Sequence, residues 1–128
     1  MSESTKKILI VDDDEFLLEM YALKFRESAF EVEVSHSGEE VLEKLRSGYA
    51  PDVLLLDIVM PAIDGFEVLK MIKKENLLPS ALLIVLTNLG QKEDVEKGLR
   101  LGATDYIVKA NYTPSEVVKK INDLFEKK

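Results

Sequence analysis

Five short apolar runs, separated by stretches with helical periodicity, constrain the fold of this chain more than any other feature. The runs cover residues 8–11, 32–34, 53–56, 82–86 and 106–108. Four of them are nearly unbroken, which is typical of strands that are covered on both faces. The second alternates with glutamate, which suits an edge strand with one wet face. The runs therefore predict a parallel sheet with helices on both sides.

Apolar residues spaced three or four apart predict a helix after each run. They are Phe16, Met20 and Leu23, then Val41 and Leu45, then Phe66, Leu69 and Ile72, then Val95 and Leu99, and finally Val117, Ile121 and Leu124. Capping patterns at residues 37–40, 64–67 and 113–116 indicate three of the helix starts. Strict alternation of strand and helix implies right-handed crossovers in an α/β fold.

No change in composition divides the chain, so we expect one domain over residues 1–128 with its core at about residues 7–125. The net charge of −7 argues against nucleic acid and against an anionic membrane surface as direct ligands. The chain has no cysteine, no signal-peptide pattern and no apolar run of the roughly 18 residues that span a membrane. We therefore expect a cytoplasmic protein.

Charged and hydroxyl side chains follow or end four of the five predicted strands. They are Asp12 and Asp13 after the first, Asp57 after the third, Thr87 in the fourth and Lys109 after the fifth. Ligands of open parallel sheets bind beyond the carboxyl ends of the strands, which meet at one rim. We therefore expect these side chains to form a single site.

The chemistry of this set favours phosphoryl transfer. Crowded carboxylates repel each other, and a divalent cation relieves that repulsion. Mg²⁺ suits such a site because it takes carboxylate oxygens, keeps several waters and binds phosphate. A lysine and a hydroxyl would neutralise and hydrogen-bond a transferring phosphoryl group. An aspartate beside the metal can itself be the nucleophile, and Asp57 is the candidate.

These residues resemble those of the response-regulator receiver domains of two-component signalling, of the CheY-like type that stands alone as a single domain. The resemblance runs from about residue 7 to residue 125. It rests on Asp12-Asp13 after ILIV, Asp57 after VLLL, MPAIDG at 60–65, Thr87, Tyr106 and Lys109. It implies a flavodoxin-like, doubly wound (βα)5 three-layer sandwich with the parallel strand order 2-1-3-4-5.

The resemblance also implies a role for each acidic residue. Asp57 would accept a phosphoryl group from a histidine kinase or a histidine phosphotransfer protein. Asp13 would bind Mg²⁺ directly and Asp12 mainly through water. Asp57 and the carbonyl group of Val59 would complete the protein ligands of the ion.

Signalling, by the same resemblance, would depend on three further residues. Lys109 would contact the phosphoryl oxygens, and Thr87 would bond to them on activation. Tyr106 would then turn inward and change the face made by the fourth helix, the fifth strand and the fifth helix. The chain would act on an unknown downstream protein and would not be an enzyme. Val59 and Leu89, which flank the path of the hydrolytic water in this family, are apolar and predict slow autodephosphorylation.

Other functions meet specific obstacles in the sequence. A haloacid-dehalogenase-like phosphatase would need a second aspartate two residues after Asp57, where this chain has Val59. A nucleotide or flavin binder would need a glycine-rich loop after the first strand, where the chain has three aspartates, residues 12–14. The remaining alternative is a pseudo-receiver, a protein-interaction module that is not phosphorylated.

Two positions depart from the pattern of the family. Ala110 follows the lysine, where the family usually has a proline joined by a cis bond, and Asn88 follows the threonine, where the residue is usually small. Without proline a cis bond is unfavourable, so we predict a trans bond between Lys109 and Ala110. Both departures bear on the shape of the signalling face and leave the acid pocket unchanged.

Overall fold

Strands and helices alternate along residues 5–126, the part of the chain that the computed structural model describes. The strands are β1 (Lys7–Val11), β2 (Glu31–Ser35), β3 (Val53–Leu56), β4 (Leu82–Thr87) and β5 (Asp105–Val108). The helices are α1 (Glu15–Glu27), α2 (Gly38–Arg46), α3 (Gly65–Glu75), α4 (Lys92–Arg100) and α5 (Pro114–Glu126). A short 3-10 helix, Lys109–Asn111, precedes α5.

All five strands pair in parallel in the order β2-β1-β3-β4-β5, which confirms the flavodoxin-like fold. The alternating strand β2 lies at an edge, as its sequence predicts, and Glu31 and Glu33 are exposed. Val11 is in register with Leu56, and Leu56 with Val85. The residues that follow β1, β3 and β4 therefore emerge at one rim of the sheet.

An apolar core lies on each face of the sheet, because successive strand residues point to opposite sides. Leu54 and Leu56 of β3 pack with α2 and α3, whereas Val53 and Leu55 pack with α1 and α5. Each helix within residues 5–126 is too short or too polar to cross a lipid bilayer.

Helix α1 forms where the sequence predicts it, but it buries a different face. The predicted stripe is largely exposed, with Phe16 75% and Leu23 54% accessible. The buried residues are Leu18, Tyr21, Ala22 and Phe25. Both sets have helical spacing, so periodicity alone does not choose between them.

The caps at the starts of α2 and α5 use the expected side chains. Thr113 and Glu116 form a reciprocal pair, in which each side chain accepts from the backbone N–H of the other at 3.2 and 2.8 Å. The hydroxyl of Ser37 accepts from the N–H of Glu40 at 3.1 Å. The carboxylate of Glu40 bonds instead to the N–H of His36, at 2.6 Å, one residue before the cap.

Candidate functional site

A cleft of about 490 Å³ lies at the carboxyl end of the sheet and gathers the polar residues that follow the strands. It is lined by Asp12, Asp13, Asp14, Leu17, Asp57, Val59, Thr87, Asn88 and Lys109. Six of the eight predicted site residues are in this set. The two that lie elsewhere are Tyr106 and Leu89.

Three carboxylates converge in the cleft. Asp12 and Asp57 are almost fully buried, while Asp13 is exposed to solvent. One oxygen atom from each lies within 4.8 Å of the others. In proteins Mg²⁺ binds carboxylate oxygens and keeps several of its water molecules, for which the exposed side of Asp13 leaves room. The three residues therefore fit the predicted ion.

Contacts with β1, with Ile58 and with the start of α3 hold Asp57 in place. The N–H of Asp57 donates to the carbonyl of Val11 at 3.0 Å, and the N–H of Ile58 donates to the Asp57 carboxylate at 2.8 Å. Gly65 packs directly against this segment and donates its N–H to the carbonyl of Ile58 at 2.8 Å. A Cβ atom at Gly65 would overlap the carbonyl oxygen of Asp57. Only glycine allows this close approach.

Burial raises the pKa of Asp57 above the usual value of an aspartate, because a desolvated carboxylate is less stable. The hydroxyl of Thr87 and the ammonium of Lys109 act in the opposite direction, while the charge of Asp12 adds to the rise. The net shift is upward. The surrounding side chains therefore do not fully compensate the charge of this carboxylate.

Lys109 links the acids from the end of β5. Its Nζ atom lies 2.7 Å from Oδ2 of Asp12 and 3.4 Å from Oδ2 of Asp57. Burial lowers the pKa of Lys109, but the hydrogen bond to Asp12 and the charges of both acids outweigh it, so the net shift is upward. The lysine therefore stays cationic at neutral pH. Its bond to Ala110 is trans, as predicted, since residues 5–126 contain no cis peptide bond.

Tyr106 lies outside the cleft. The side chain is buried, and its hydroxyl donates to the carbonyl of Leu89 at 2.5 Å. The N–H of Leu89 in turn donates to the hydroxyl of Thr87 at 3.3 Å. A short chain of hydrogen bonds thus joins the cleft residue Thr87 to Tyr106.

The two residues predicted to flank the path of water differ in position. Val59 lines the cleft and is 61% exposed. Leu89 is not among the lining residues, and its side chain packs against the core on the side of α3. Of these two residues, only Val59 is therefore placed to obstruct water at Asp57.

Sequence reasoning missed two neighbours of the predicted residues. Leu17 lines the cleft from the first turn of α1, just after Asp14, whose side chain caps that helix by accepting from the N–H of Leu17 at 3.1 Å. Gly98 of α4 lies against the ring of Tyr106. A glycine inside a helical pattern was a signal of such a close approach.

Comparison with known proteins agrees with this geometry. A family model described as the response regulator receiver domain matches residues 8–122. The chain is 34% identical over 122 residues to the alkaline phosphatase synthesis transcriptional regulatory protein PhoP of Bacillus subtilis, covering 95% of this chain and 49% of PhoP. It is 32% identical over 121 residues to the DNA-binding response regulator MtrA of Mycolicibacterium smegmatis, covering 94% and 51%. The chain thus spans about half the length of these relatives.

Among solved structures, the chain is similar to a CheY-like response regulator receiver domain protein from Methanospirillum hungatei. The two superpose with a TM-score of 0.87 at 31% identity, over 97% of this chain and 96% of the other. The similarity therefore extends over nearly the whole of both chains.

Proposed function

Because the chain belongs to the response regulator receiver domain family of two-component signalling, we propose that Asp57 is its phosphoacceptor and that the donor is a histidine kinase or a histidine phosphotransfer protein. The observation that carries the proposal is the position of Lys109, whose ammonium lies 3.4 Å from the Asp57 carboxylate in a cleft that also holds Asp12 and Asp13. The proposed nucleophile, the cation and the oxygens proposed to bind the metal thus share one cleft.

The proposed transfer step follows from this arrangement. An oxygen of Asp57 attacks the phosphorus of the donor's phosphohistidine, and the new P–O bond forms as the P–N bond breaks. The imidazole nitrogen of the donor keeps the electron pair. Lys109 is positioned to balance the negative charge of the phosphoryl oxygens after transfer. Asp57 needs no proton acceptor for this step, because a carboxylate attacks in its charged form.

We assign Mg²⁺ to Asp12, Asp13 and Asp57, with the carbonyl group of Val59 as a further ligand. Asp13, the exposed member, would bind directly and Asp12 mainly through water. When bound, the ion supplies positive charge next to the carboxylate and phosphoryl oxygens. The assignment is supported by the convergence of three carboxylates and by the raised pKa of Asp57, which burial causes and which the neighbouring side chains leave only partly compensated.

The output is proposed to pass from Thr87 to Tyr106 and then to the face made by α4, β5 and α5. The hydrogen bonds to the N–H and the carbonyl group of Leu89 connect the two residues through that one residue. The protein acts on no external substrate in this proposal and loses its own phosphoryl group slowly.

The partner at this face is proposed to be a protein. The names of the relatives describe transcriptional regulation and DNA binding, but the chain covers only about half of each. Residues 1–128 are proposed to form one receiver domain that does not itself contact DNA, because a net charge of −7 repels phosphates. The absence of cysteine suits the cytoplasm, where we place the domain.

The phosphoacceptor is tested by mass. Wild type, Asp57→Asn and Asp52→Asn are incubated with acetyl phosphate and Mg²⁺, and each is weighed intact. Asp52 precedes β3, so it is a matched aspartate at the opposite end of the same strand. We expect a phosphoryl adduct on wild type and Asp52→Asn and none on Asp57→Asn. An equal adduct on Asp57→Asn would contradict the assignment.

The metal site is tested by thermal unfolding. Mg²⁺ should raise the unfolding midpoint of wild type, because it binds the crowded acids of the folded state only. Asp13→Ala should abolish the rise. A rise with no adduct in the mass experiment would identify the pseudo-receiver, whereas the same rise in wild type and Asp13→Ala would place the metal elsewhere.

The lifetime of the adduct tests the role of Val59. Val59→Asn should lose the phosphoryl group faster, because an amide can hold the attacking water. Leu89→Glu is measured separately, since Leu89 lies outside the cleft. Decay of Val59→Asn at the wild-type rate would show that apolar shielding does not set the lifetime.

A further inference from the structure

Helix α4 carries a glycine in its interior. Gly98 lies two residues before the end of the helix, and it is the only residue of α4 that is buried. Glycine inside a helix is less favourable than alanine, because it loses more backbone freedom on folding. A buried glycine at this position therefore requires a structural reason.

The reason is the ring of Tyr106. A Cβ atom at Gly98 would lie 2.8 Å from Cδ2 and 2.9 Å from Cε2 of that ring, closer than carbon atoms can approach. The next nearest atom, Cε1 of Phe66, would be 3.9 Å away, which is an ordinary contact. The obstruction to a side chain at position 98 therefore comes from Tyr106.

The Tyr106 ring is held in this position by its hydroxyl group and by its strand. Its hydroxyl bonds to the carbonyl of Leu89 at 2.5 Å, and its backbone is in register with Val85 in the sheet. The ammonium of Lys97 lies 4.5 Å from the centre of the Phe66 ring, so it links α4 to α3 beside the same contact. A methyl group at position 98 would therefore require either α4 or the Tyr106 ring to move.

We propose that Gly98 is the residue that admits Tyr106 to its inward position, and that it is a positioning residue for the switch. This rests on the proposed role of Tyr106 in signalling. When a group has two positions and one is excluded, the other is populated whatever the ligand does. In this proposal a side chain at position 98 displaces the ring and not the helix, and it therefore holds the α4 and β5 face in one state, phosphorylated or not.

A double-mutant cycle tests the contact through a change of sign. In the wild-type background Gly98→Ala should lower the urea midpoint of unfolding, because the methyl group meets the ring. In the Tyr106→Ala background the same substitution should raise the midpoint, because only the better helix propensity of alanine remains. A fall in both backgrounds would show that the glycine serves the backbone packing of α4, and a rise in both would show that the ring does not occupy the site. Either result overturns the proposal.

A matched site on the same helix calibrates the cycle. Glu96 is exposed, and its Gly and Ala variants report the difference between glycine and alanine on α4 without a neighbouring ring. The rise for Gly98→Ala in the Tyr106→Ala background should match the difference between Glu96→Gly and Glu96→Ala. A rise below half of that difference would show a second obstruction and overturn the assignment to Tyr106.

Fluorine NMR follows the ring itself. The chain has four tyrosines, so protein labelled with 3-fluorotyrosine gives a resolvable set of signals, and Tyr106→Phe assigns the one of interest. A soluble paramagnetic chelate should broaden this signal in Gly98→Ala and leave it sharp in wild type. Equal protection in the two proteins would overturn the proposal.

The same samples separate this proposal from the phosphoacceptor proposal. Gly98→Ala leaves the cleft residues intact, so acetyl phosphate should give it the wild-type mass adduct while its Tyr106 signal stays in the exposed form. Lack of an adduct in wild type would contradict the role of Asp57 and would leave the double-mutant cycle interpretable.

Discussion

Helices α3 and α4 are neighbours on the same face of the sheet, yet they are anchored to it very differently. Five residues of α3 are buried, among them Phe66, Leu69 and Ile72. In α4 only Gly98 is buried, and Leu99, which the sequence pattern assigns to the apolar face, is 46% exposed. The sequence predicts two amphipathic helices. In the structure α3 buries five residues against the core, whereas α4 buries one.

The ends of α3 are also better fixed than the start of α4. At the start of α3 the carboxylate of Asp64 accepts from the N–H of Glu67 at 2.9 Å, and Asn76 ends the helix in the left-handed conformation at φ 52°. Gln91 at the start of α4 makes no capping hydrogen bond through its side chain. Both ends of α3 are therefore fixed by side-chain or backbone features that the start of α4 lacks.

The difference corresponds to what each helix touches. Through Gly65, α3 packs against Asp57 and holds the proposed phosphoacceptor in place. Through Gly98, α4 touches Tyr106, the proposed switch. In the proposed function the acceptor is held still and the output face moves, and elements with few buried apolar contacts open at the lowest free energy. The uneven anchoring of the two helices matches these two proposed roles.

The largest expected effect compares the buried and exposed leucines. Leu69→Ala should lower the free energy of unfolding by about 2–5 kcal/mol, because it opens a cavity in the core. Leu99→Ala should change it by less than about 0.5 kcal/mol, because Leu99 is nearly half exposed. Urea denaturation measures both. Similar losses for the two variants would contradict the difference in anchoring.

The cap of α3 should give the next largest effect. Asp64→Ala should lower the free energy of unfolding by about 1 kcal/mol, because the N–H of Glu67 loses its partner. Asp64→Asn keeps an acceptor oxygen and is the control, with a loss of a few tenths of a kcal/mol at most. Gln91→Ala, at the same position of α4, should have no measurable effect. A loss at Gln91 equal to that at Asp64 would show that both helices are capped.

High pH should lower the stability of the fold through ionisation of Tyr106, which contacts α4. Burial, aided by the charges of Asp94 and Asp57, raises the pKa of Tyr106 from 10.0 to about 12. Between these values the unfolded chain loses the phenol proton and the folded chain keeps it, so stability falls as pH rises. Tyr106→Phe should make the fall shallower, by on the order of 1 kcal/mol over this range.

Tyr49 and Lys109 also have raised pKa values, so their contributions must be separated from that of Tyr106. Burial also raises the pKa of Tyr49 to about 12, so Tyr49→Phe should make the fall shallower without altering the amide signals of α4. Burial lowers the pKa of Lys109, but Asp12 and Asp57 raise it by more, so the net shift is upward. Stability therefore also falls as Lys109 loses its proton at high pH, and both variants keep this fall. Identical pH profiles for wild type and Tyr106→Phe would show that the phenol does not titrate with folding.

The smallest expected effect is a gain. Gln91 already has the extended conformation of an N-cap residue, with φ −67° and ψ 151°. Gln91→Ser should therefore supply the missing cap and raise the free energy of unfolding by about 0.5 kcal/mol. Slower amide exchange confined to α4 would locate the gain there. A gain spread over α3 as well would show that the two helices open together.

Much of the fold could be predicted from the sequence because its signals are local. Apolar runs, helical spacing and capping side chains act within a few residues, and all five strands and five helices lie where they indicate. The gathering of Asp12, Asp57 and Lys109 could also be predicted, since parallel strands bring their carboxyl ends to one rim. Their proposed roles stay predictions that the mass and metal experiments test.

Other features were decided only by the tertiary structure. Helix α1 has two apolar stripes of equal periodicity, and packing on the sheet selects the one with Leu18 and Phe25 and leaves Phe16 exposed. The position of Leu89 away from the cleft has the same origin, because the path of a loop depends on what it packs against.

The sequence by itself determined where the strands, helices and acids lie along the chain, because propensity, periodicity and capping depend on near neighbours. Only the tertiary structure decided that Gly98 would meet Tyr106 and that α4 would be anchored less deeply than α3. These contacts join residues of different elements at distances of a few ångströms. Such distances follow from the packing of whole helices on the sheet, which no local pattern records.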